Sequence, residues 1–100
     1  DLISDVQYKE KLFRQLLQHQ LITEVRGKGL MLAPLLKTEE IANHLVLKAK
    51  EKGLILFWLL YEKRAVRISP PLTISPEEIK LGCGIIIDIL DEYFKSTNGE

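Results

Sequence analysis

The stretch VRISPPLTIS, from Val66 to Ser75, places one arginine between two β-branched residues, just ahead of a double proline. Successive side chains of a strand point to opposite faces, so Val66 and Ile68 share one face and Arg67 lies on the other. A guanidinium presents a planar fork of donors that can bind a carboxylate bidentately. Alternation alone, however, favours a solvent-facing arginine on an edge strand.

The segment RGKG, from Arg26 to Gly29, holds two further cations between residues that permit a bend, a bulge or a hairpin reversal. It lacks the strand-to-helix context and the full spacing of a phosphate-binding fingerprint. A structural role with solvated charges is therefore favoured over ligand contact. Arg26 and Lys28 remain secondary candidates for substrate binding.

Residue types typical of nucleophiles and metal ligands are sparse. Cys83 lies on an apolar helical stripe, which favours a small buried hydrophobe over a nucleophile. His19 and His44 lack metal-ligand spacing to each other or to the cysteine. Glu77 and Glu78 suit the start of a helix, where its dipole favours carboxylates. We therefore predict no catalytic, cofactor-binding or metal-binding residue in this chain, and an independent small enzyme is the least favoured function.

Charge and cysteine content exclude several classes of partner. The 100 residues contain 14 basic and 14 acidic side chains without a long block of either sign, so we expect no nucleic-acid partner and no polybasic membrane anchor. The longest apolar run is far shorter than a membrane span. With Cys83 as the only cysteine, no internal disulfide can form, and a reducing cytoplasmic setting is the simplest expectation.

Three amphipathic helices are predicted from apolar periodicity and capping residues. The first ends near His19 and presents one apolar side, formed by Ile3, Val6, Phe13, Leu16 and Leu17. The second follows Thr38, a candidate N-cap, and stops at Gly53, which suits the C′ position. The third opens with SPEE at Ser75, a capping box with proline at the first helical position. Its apolar stripe consists of Ile79, Cys83, Ile86, Leu90 and Phe94.

Four strands are predicted between the helices. Two lie on either side of the RGKG glycines, between Leu21 and Leu36; LILFWLL, from Leu54 to Leu60, is the third, and AVRIS, after a turn around Glu62 to Arg64, is the fourth. Pro70 and Pro71 end the regular pairing. Seven consecutive apolar residues cannot all face one core, because strand side chains alternate. Something must therefore cover the other face of the sheet.

The predicted fold is α+β, with the order helix, two strands, helix, two strands, helix, and with a small antiparallel sheet that packs its helices on one face. Residues 1–100 are expected to form a single domain. An uncovered sheet face with Phe57, Trp58 and neighbouring leucines predicts either oligomerisation through the sheet or packing against another domain.

In this order, the motifs EVRGKGLMLA, EKGLIL and RAVRISPPLTISPEEI resemble the C-terminal small domain of the class III pyridoxal-phosphate aminotransferases, the group of ornithine, acetylornithine and lysine ε-aminotransferases. The resemblance runs from about Val25 to the end of the last helix, and the first helix also fits the family. It implies the C-terminal domain fold of fold-type I transferases and a parent several times longer. The large domain of that parent would supply the cofactor pocket and the Schiff-base lysine.

The resemblance also implies a role for Arg67. In this family the arginine of the motif before the double proline receives a substrate carboxylate, and Arg67 occupies the matching position. Orienting the substrate in this way can govern rate and specificity without bond chemistry. One departure is Pro34 with the LLK that follows it, where relatives continue a regular strand, so the second strand is expected to be short, bulged or at the sheet edge.

Two functional classes follow. In the first, the chain is the small domain of a transaminase whose partners are the large domain of the same parent, the amino-acid or oxo-acid substrate and a second subunit of a homodimer. Pyridoxal phosphate would then bind to the parent and not to this chain alone. We expect this chain to be inactive because it lacks the lysine that binds the cofactor, the aspartate that holds the pyridinium nitrogen and the phosphate-binding cup. In the second, the chain is a stand-alone α+β module without catalytic activity, which dimerises through LILFWLL or binds a carboxylate without turning it over.

Overall fold

The computed structural model describes residues 2–59 and 62–99. Three α-helices and four short strands alternate along the chain in the order α1, β1, β2, α2, β3, β4, α3. Their bounds are α1 Leu2–Leu16, β1 Ile22–Lys28, β2 Met31–Leu36, α2 Glu39–Glu51, β3 Phe57–Trp58, β4 Val66–Arg67 and α3 Pro76–Phe94, followed by a π-helical turn at Lys95–Gly99. The predicted α+β element order is therefore confirmed.

Gly29 of RGKG lies in the turn of a hairpin between β1 and β2. Lys28 pairs with Met31, so the loop consists of Gly29 and Leu30, and the positive φ of 61° at Gly29 suits the first central position of a tight hairpin turn. The bulge lies elsewhere: one extra residue, Thr23, interrupts the register near the start of β1. Gly29 thus reverses the chain, Gly27 lies within β1 opposite Leu32, and neither glycine forms the bulge.

Pro34 divides the sheet into two antiparallel pairs, β1 with β2 and β3 with β4. Across the β2–β4 boundary, Leu32 exchanges two backbone hydrogen bonds with Ile68, and Leu36 donates to the Arg64 carbonyl at 2.7 Å. Between these positions Pro34 has no N–H to donate, so the ladder is interrupted and only isolated bridges remain. The expectation that β2 lies at the sheet edge is wrong, because β4 flanks it opposite β1.

All three helices pack on one face of this sheet. The inner face carries Leu32, Leu36, Val66 and Ile68, which join apolar residues of every helix in one buried cluster. The opposite face, here called the outer face, bears Glu24, Arg26, Ala33, Leu35, Phe57, Ala65 and Arg67. The predicted arrangement of helices on one side of an antiparallel sheet is confirmed, and it leaves Arg67 on the side without helices.

The predicted helix caps are confirmed. The Thr38 hydroxyl accepts the Ile41 amide at 3.1 Å, and Gly53, with φ of 88°, follows the C-cap of α2. At α3 the Ser75 hydroxyl accepts the Glu78 amide, and the Glu78 carboxylate accepts the Ser75 amide, which together form the capping box. Residue type and local spacing were sufficient for these predictions.

Two helix and strand boundaries differ from the prediction. Helix α1 ends at Leu16, and Ile3, assigned to its apolar side, is 69% exposed. Only Phe57–Trp58 of LILFWLL is a strand. The Leu54 amide donates to the Ala49 carbonyl as part of the helix C-terminus, so the segment begins by closing α2 rather than by joining the sheet. Leu60 lies outside the described residues.

Helix α1 covers the free edge of β1. Arg14 donates to the carbonyls of Val25 and Gly27, each at 2.6 Å, and it pairs with Glu10 at 3.1 Å. Glu10 in turn accepts the Gly29 amide at 2.8 Å. Edge strands present unpaired carbonyls that other chains could bind, so Arg14 protects this edge of the sheet.

Replacing Glu10 by glutamine is expected to destabilise the fold by about 1 kcal/mol near neutral pH, since a charged acceptor is lost. The Gly29 amide and then the Arg14 side chain hold the pKa of Glu10 below its usual value. Because the pKa of Glu10 is lower in the folded state, its ionised carboxylate stabilises the fold at pH values above the pKa of the unfolded state. This stabilisation is lost as the pH falls through the pKa of the folded state. Denaturant unfolding measured at acidic and neutral pH should show that the free energies of unfolding of wild type and Glu10→Gln converge in acid.

The matched control for this experiment is Glu51→Gln. Within residues 2–59 and 62–99, Glu51 pairs only with Lys48, at 3.5 Å on the surface, and such exposed pairs contribute little. A loss of stability in Glu10→Gln that does not change with pH, or an equal loss of stability in Glu51→Gln, would contradict an electrostatic role for the Glu10 carboxylate.

Candidate functional site

Arg67 lies on the outer face at the end of β4, directly across from Phe57 of β3. Its Cζ atom is 5.2 Å from the centroid of the Phe57 ring, within the range of a cation–π contact. The side chain is exposed, and no carboxylate of the described residues forms an ion pair with it. This guanidinium can therefore accept a carboxylate from outside the chain.

A row of four side chains crosses the outer face at the level of Arg67. The bridges between β2 and β4 place Ala33 across from Arg67, and Ala33 pairs on its other side with Arg26. The arginine row is thus Arg26, Ala33, Arg67 and Phe57. Two strand spacings separate the backbones of the two arginines by about 10 Å.

The secondary candidates occupy different places. Arg26 lies in the arginine row, but its Nε atom pairs with Glu24 two residues away on the same strand. Lys28 lies on β1 at the hairpin end, where it pairs with Met31. The structure therefore brings Arg26 into line with Arg67 and leaves Lys28 outside the row.

Other carboxylates near the row are already paired. Glu62 accepts a hydrogen bond from Arg64 Nε at 3.2 Å. The side-chain and backbone hydrogen bonds of Arg64, together with weaker attraction to Arg64 and Arg26, lower the pKa of Glu62. With Glu24 and Glu62 engaged by other arginines, the charge of Arg67 remains uncompensated by these two residues.

A cavity of about 250 Å³ lies on the other side of β4 from Arg67. Ile68, rather than Arg67, faces it, and the remaining lining comes largely from apolar residues of α3 and the loops. Its chemistry suits packing rather than carboxylate binding. The apolar cavity and Arg67 are therefore separate features.

Cys83 lines this cavity and is buried, as the sequence predicts. Burial raises the pKa of its thiol to about 12. Since the thiolate is the nucleophile, native Cys83 is expected to resist iodoacetamide near neutral pH and to react rapidly in denaturant, where its pKa returns to about 8.5. Mass spectrometry of timed samples measures both rates, and native alkylation at the rate of a free thiol would contradict the assignment.

The histidines have structural contacts. His19, beyond the end of α1, accepts the Leu21 amide at Nδ1 and contacts Asp91 through Nε2 at 2.7 Å. His44 packs against Tyr93 with ring centroids 5.0 Å apart. Among residues 2–59 and 62–99, no group of three or more His, Cys, Asp and Glu side chains could hold a metal ion. Within the same ranges, no helix is long and apolar enough to cross a membrane.

Three side chains make contacts that were not predicted from the sequence. The aromatic residues of LILFWLL were assigned to packing, whereas Phe57 contacts Arg67 and Trp58 donates from Nε1 to Asn43 Oδ1 at 2.7 Å. Lys9 is buried, and its Nζ binds Asp5 and the Leu72 carbonyl at 2.8 Å. The contacts of Phe57 and Trp58 and the bond from Lys9 to the Leu72 carbonyl have no local signal, because each joins segments that are distant in the sequence. Asp5 and Lys9, by contrast, are four residues apart on α1, a spacing that the sequence alone shows.

Comparisons with known proteins agree on one family. The model described as aminotransferase class-III matches residues 2–90. The chain is 37% identical over 95 residues to an acetylornithine aminotransferase of Caldanaerobacter subterraneus, covering 90% of this chain and 23% of that relative. It is 35% identical over 91 residues to an ornithine aminotransferase of Plasmodium yoelii, covering 87% and 22%.

Solved structures give the same result. The ornithine aminotransferase of Toxoplasma gondii superposes with a TM-score of 0.80 at 26% identity, over 95% of this chain and 24% of that one. The acetylornithine aminotransferase of Elizabethkingia anophelis superposes with a TM-score of 0.75 at 31% identity, over 91% and 25%. The chain thus spans about a quarter of the length of the relatives it matches.

Proposed function

This chain belongs to the class III aminotransferase family, and we propose that residues 1–100 are the C-terminal small domain of a longer enzyme of that family. The parent would transfer an amino group between an amino acid and a 2-oxo acid. Ornithine and acetylornithine, named in the relatives, define the class of donor to test first. The observation that supports a substrate role for this domain is the exposed Arg67 guanidinium, unpaired with any described carboxylate.

Arg67 would orient the substrate. Its guanidinium can bind a substrate carboxylate through two parallel hydrogen bonds, which fix both the position and the rotation of the carboxylate. Proline residues after β4 restrict the backbone that carries the arginine. In the 2-oxo acid the reacting carbon is bonded to the carboxylate, so this orientation lowers the entropic part of the barrier without bond chemistry at Arg67.

Pyridoxal phosphate, the family's cofactor, supplies the electron sink for amino-group transfer. The residues described here do not fit its site. All described lysines except Lys9 are exposed, and Lys9 already binds Asp5 and the Leu72 carbonyl. We therefore assign the cofactor lysine to the rest of the parent and propose that the present chain is inactive alone.

The partners of the parent are inferred from its proposed identity as a class III aminotransferase, and its cellular location is inferred from the single cysteine. The outer face would pack against the large domain of the parent, which would enclose Arg67 together with the substrate. We propose a homodimeric parent in the cytoplasm, the latter on the ground of a single, unpaired and buried cysteine.

The proposal is tested by expressing the longest reading frame that contains this sequence beside residues 1–100 alone. We expect the long product to bind pyridoxal phosphate, seen in its visible absorbance, and to convert 2-oxo acid to amino acid with an ornithine-type donor. The short chain should do neither. A reading frame confined to these residues, or a long product without transaminase activity, would contradict the proposal.

The alternative, a stand-alone dimerisation module, is favoured by the exposure of Ile55, Phe57 and Trp58 around the short strand β3. An evolved dimer would keep one defined mass over a wide range of concentration, whereas a separated domain would associate without a fixed stoichiometry. Sedimentation velocity at several concentrations distinguishes the two.

A further inference from the structure

The contact between Phe57 and Arg67 has a consequence for substrate recognition. We propose that Phe57 is a positioning residue, whose ring holds the guanidinium of Arg67 in the orientation that receives the substrate carboxylate. This inference rests on the proposed function of Arg67. It adds a residue from a different strand to the carboxylate site.

The strand register enforces the contact. Phe57 and Arg67 are directly paired residues of adjacent antiparallel strands, where side chains on the same face lie about 5 Å apart at Cβ. The Arg67 Cζ atom lies 5.2 Å from the ring centroid, so the cation meets the ring rather than solvent on that side. The two side chains are held together by the backbone ladder and not by a mobile loop.

The other flank of Arg67 is open. Its neighbour across β2 is Ala33, whose methyl group leaves the space beside the guanidinium free of a large side chain. An arginine between a ring and a small residue has one flank occupied and one accessible. A carboxylate can therefore approach from the side of Ala33 or from above the sheet without displacing Phe57.

Phe57 has no comparable structural role. It is 44% exposed and does not belong to the buried cluster beneath the sheet. An aromatic residue at such a position contributes little to the core, but it can limit the rotamers of a long, flexible cation. Because Arg67 then has fewer rotamers to lose when it binds, it binds the carboxylate more tightly. The cation–π attraction between Phe57 and Arg67 also increases when a covering domain excludes water.

The test uses the full-length enzyme with Phe57→Leu, Phe57→Tyr and Trp58→Leu. Trp58 is the neighbouring aromatic residue, and its indole contacts Asn43 rather than Arg67. For Phe57→Leu we expect KM for the carboxylate substrate to rise about two- to tenfold with little change in kcat, since binding is weakened equally in the ground and transition states. Phe57→Tyr should restore the wild-type KM, and Trp58→Leu should leave it unchanged.

An amine donor that lacks a carboxylate provides the second control. Its KM should be the same in Phe57→Leu and wild type, whereas general damage to the site would raise both KM values. The geometry is also measurable in the 100-residue chain by NMR. The δ-methylene protons of Arg67 should be shifted upfield by the ring and should return to random-coil values in Phe57→Leu.

The outcomes separate this inference from the proposed function. If Arg67→Lys impairs the enzyme but Phe57→Leu does not raise KM for the carboxylate substrate, the positioning role is wrong and the function of Arg67 remains. If Arg67→Lys has no effect, the proposed role of Arg67 in carboxylate binding fails and the inference fails with it. An unshifted Arg67 methylene in the wild-type chain would overturn the contact itself.

Discussion

Replacing Arg67 by lysine in the full-length enzyme is expected to lower kcat/KM for the carboxylate substrate by about a hundredfold. A lysine provides a point charge in place of a planar fork, so the substrate loses one of two parallel hydrogen bonds and its fixed rotation. A hundredfold loss corresponds to about 3 kcal/mol of transition-state stabilisation, within the range for truncating a buried, hydrogen-bonded charge pair. Single-turnover measurement of each half-reaction gives this value directly.

The matched control is Arg64→Lys. Arg64 belongs to the same hairpin, but it pairs with Glu62 within the chain. We expect the rate constants of the Arg64→Lys enzyme to remain near those of wild type. Because Arg67 is exposed, Arg67→Lys should change the free energy of unfolding by no more than about 0.5 kcal/mol. Wild-type rates in both half-reactions of Arg67→Lys would show that another group binds the carboxylate.

Replacing Gly27 by alanine is expected to destabilise the fold by about 3 to 5 kcal/mol. A Cβ atom at this position would lie 2.1 Å from the Met31 carbonyl oxygen, and φ is +105°, a region that side chains rarely adopt. The obstacle is backbone in the paired strand, so relief requires the hairpin itself to move. Equilibrium unfolding in urea, monitored by circular dichroism, measures the loss.

Gly84→Ala is the control with the opposite expected sign. Gly84 lies inside α3, is exposed, and a Cβ atom there would have nothing within 4 Å. Removing glycine from a helix interior should stabilise the fold by about 0.5 to 1 kcal/mol. Equal effects of the two substitutions would show that glycine entropy, rather than the contact with Met31, determines the result.

Much of the fold could be predicted because its signals are local. A capping box needs residues three positions apart, and an apolar stripe needs a period of 3.6, so Ser75, Glu78 and the stripe of α3 could be assigned from the sequence. The same applies to the side of β4 on which Arg67 lies, since alternation has a period of two. These predictions depend on backbone geometry that each segment adopts by itself.

Predictions that needed the position of a neighbouring strand were less successful. The run LILFWLL has strand-forming composition, but closing α2 uses its first amide, and of its residues up to Leu59 only two pair with β4. Pro34 was expected to make its strand short, bulged or an edge strand, whereas that strand lies between β1 and β4 and Pro34 interrupts the ladder to β4. In both cases hydrogen bonds to distant residues decided the outcome.

By itself, the sequence determined the element order, the helix caps, the family resemblance and Arg67 as the candidate carboxylate residue. Only the tertiary structure decided that Phe57 lies over Arg67, that Ala33 leaves its other flank open, and that Arg26 joins the same row while Lys28 does not. The physical reason is register. A shift of one residue between two strands exchanges their faces, and register results from the packing of the whole sheet against its helices.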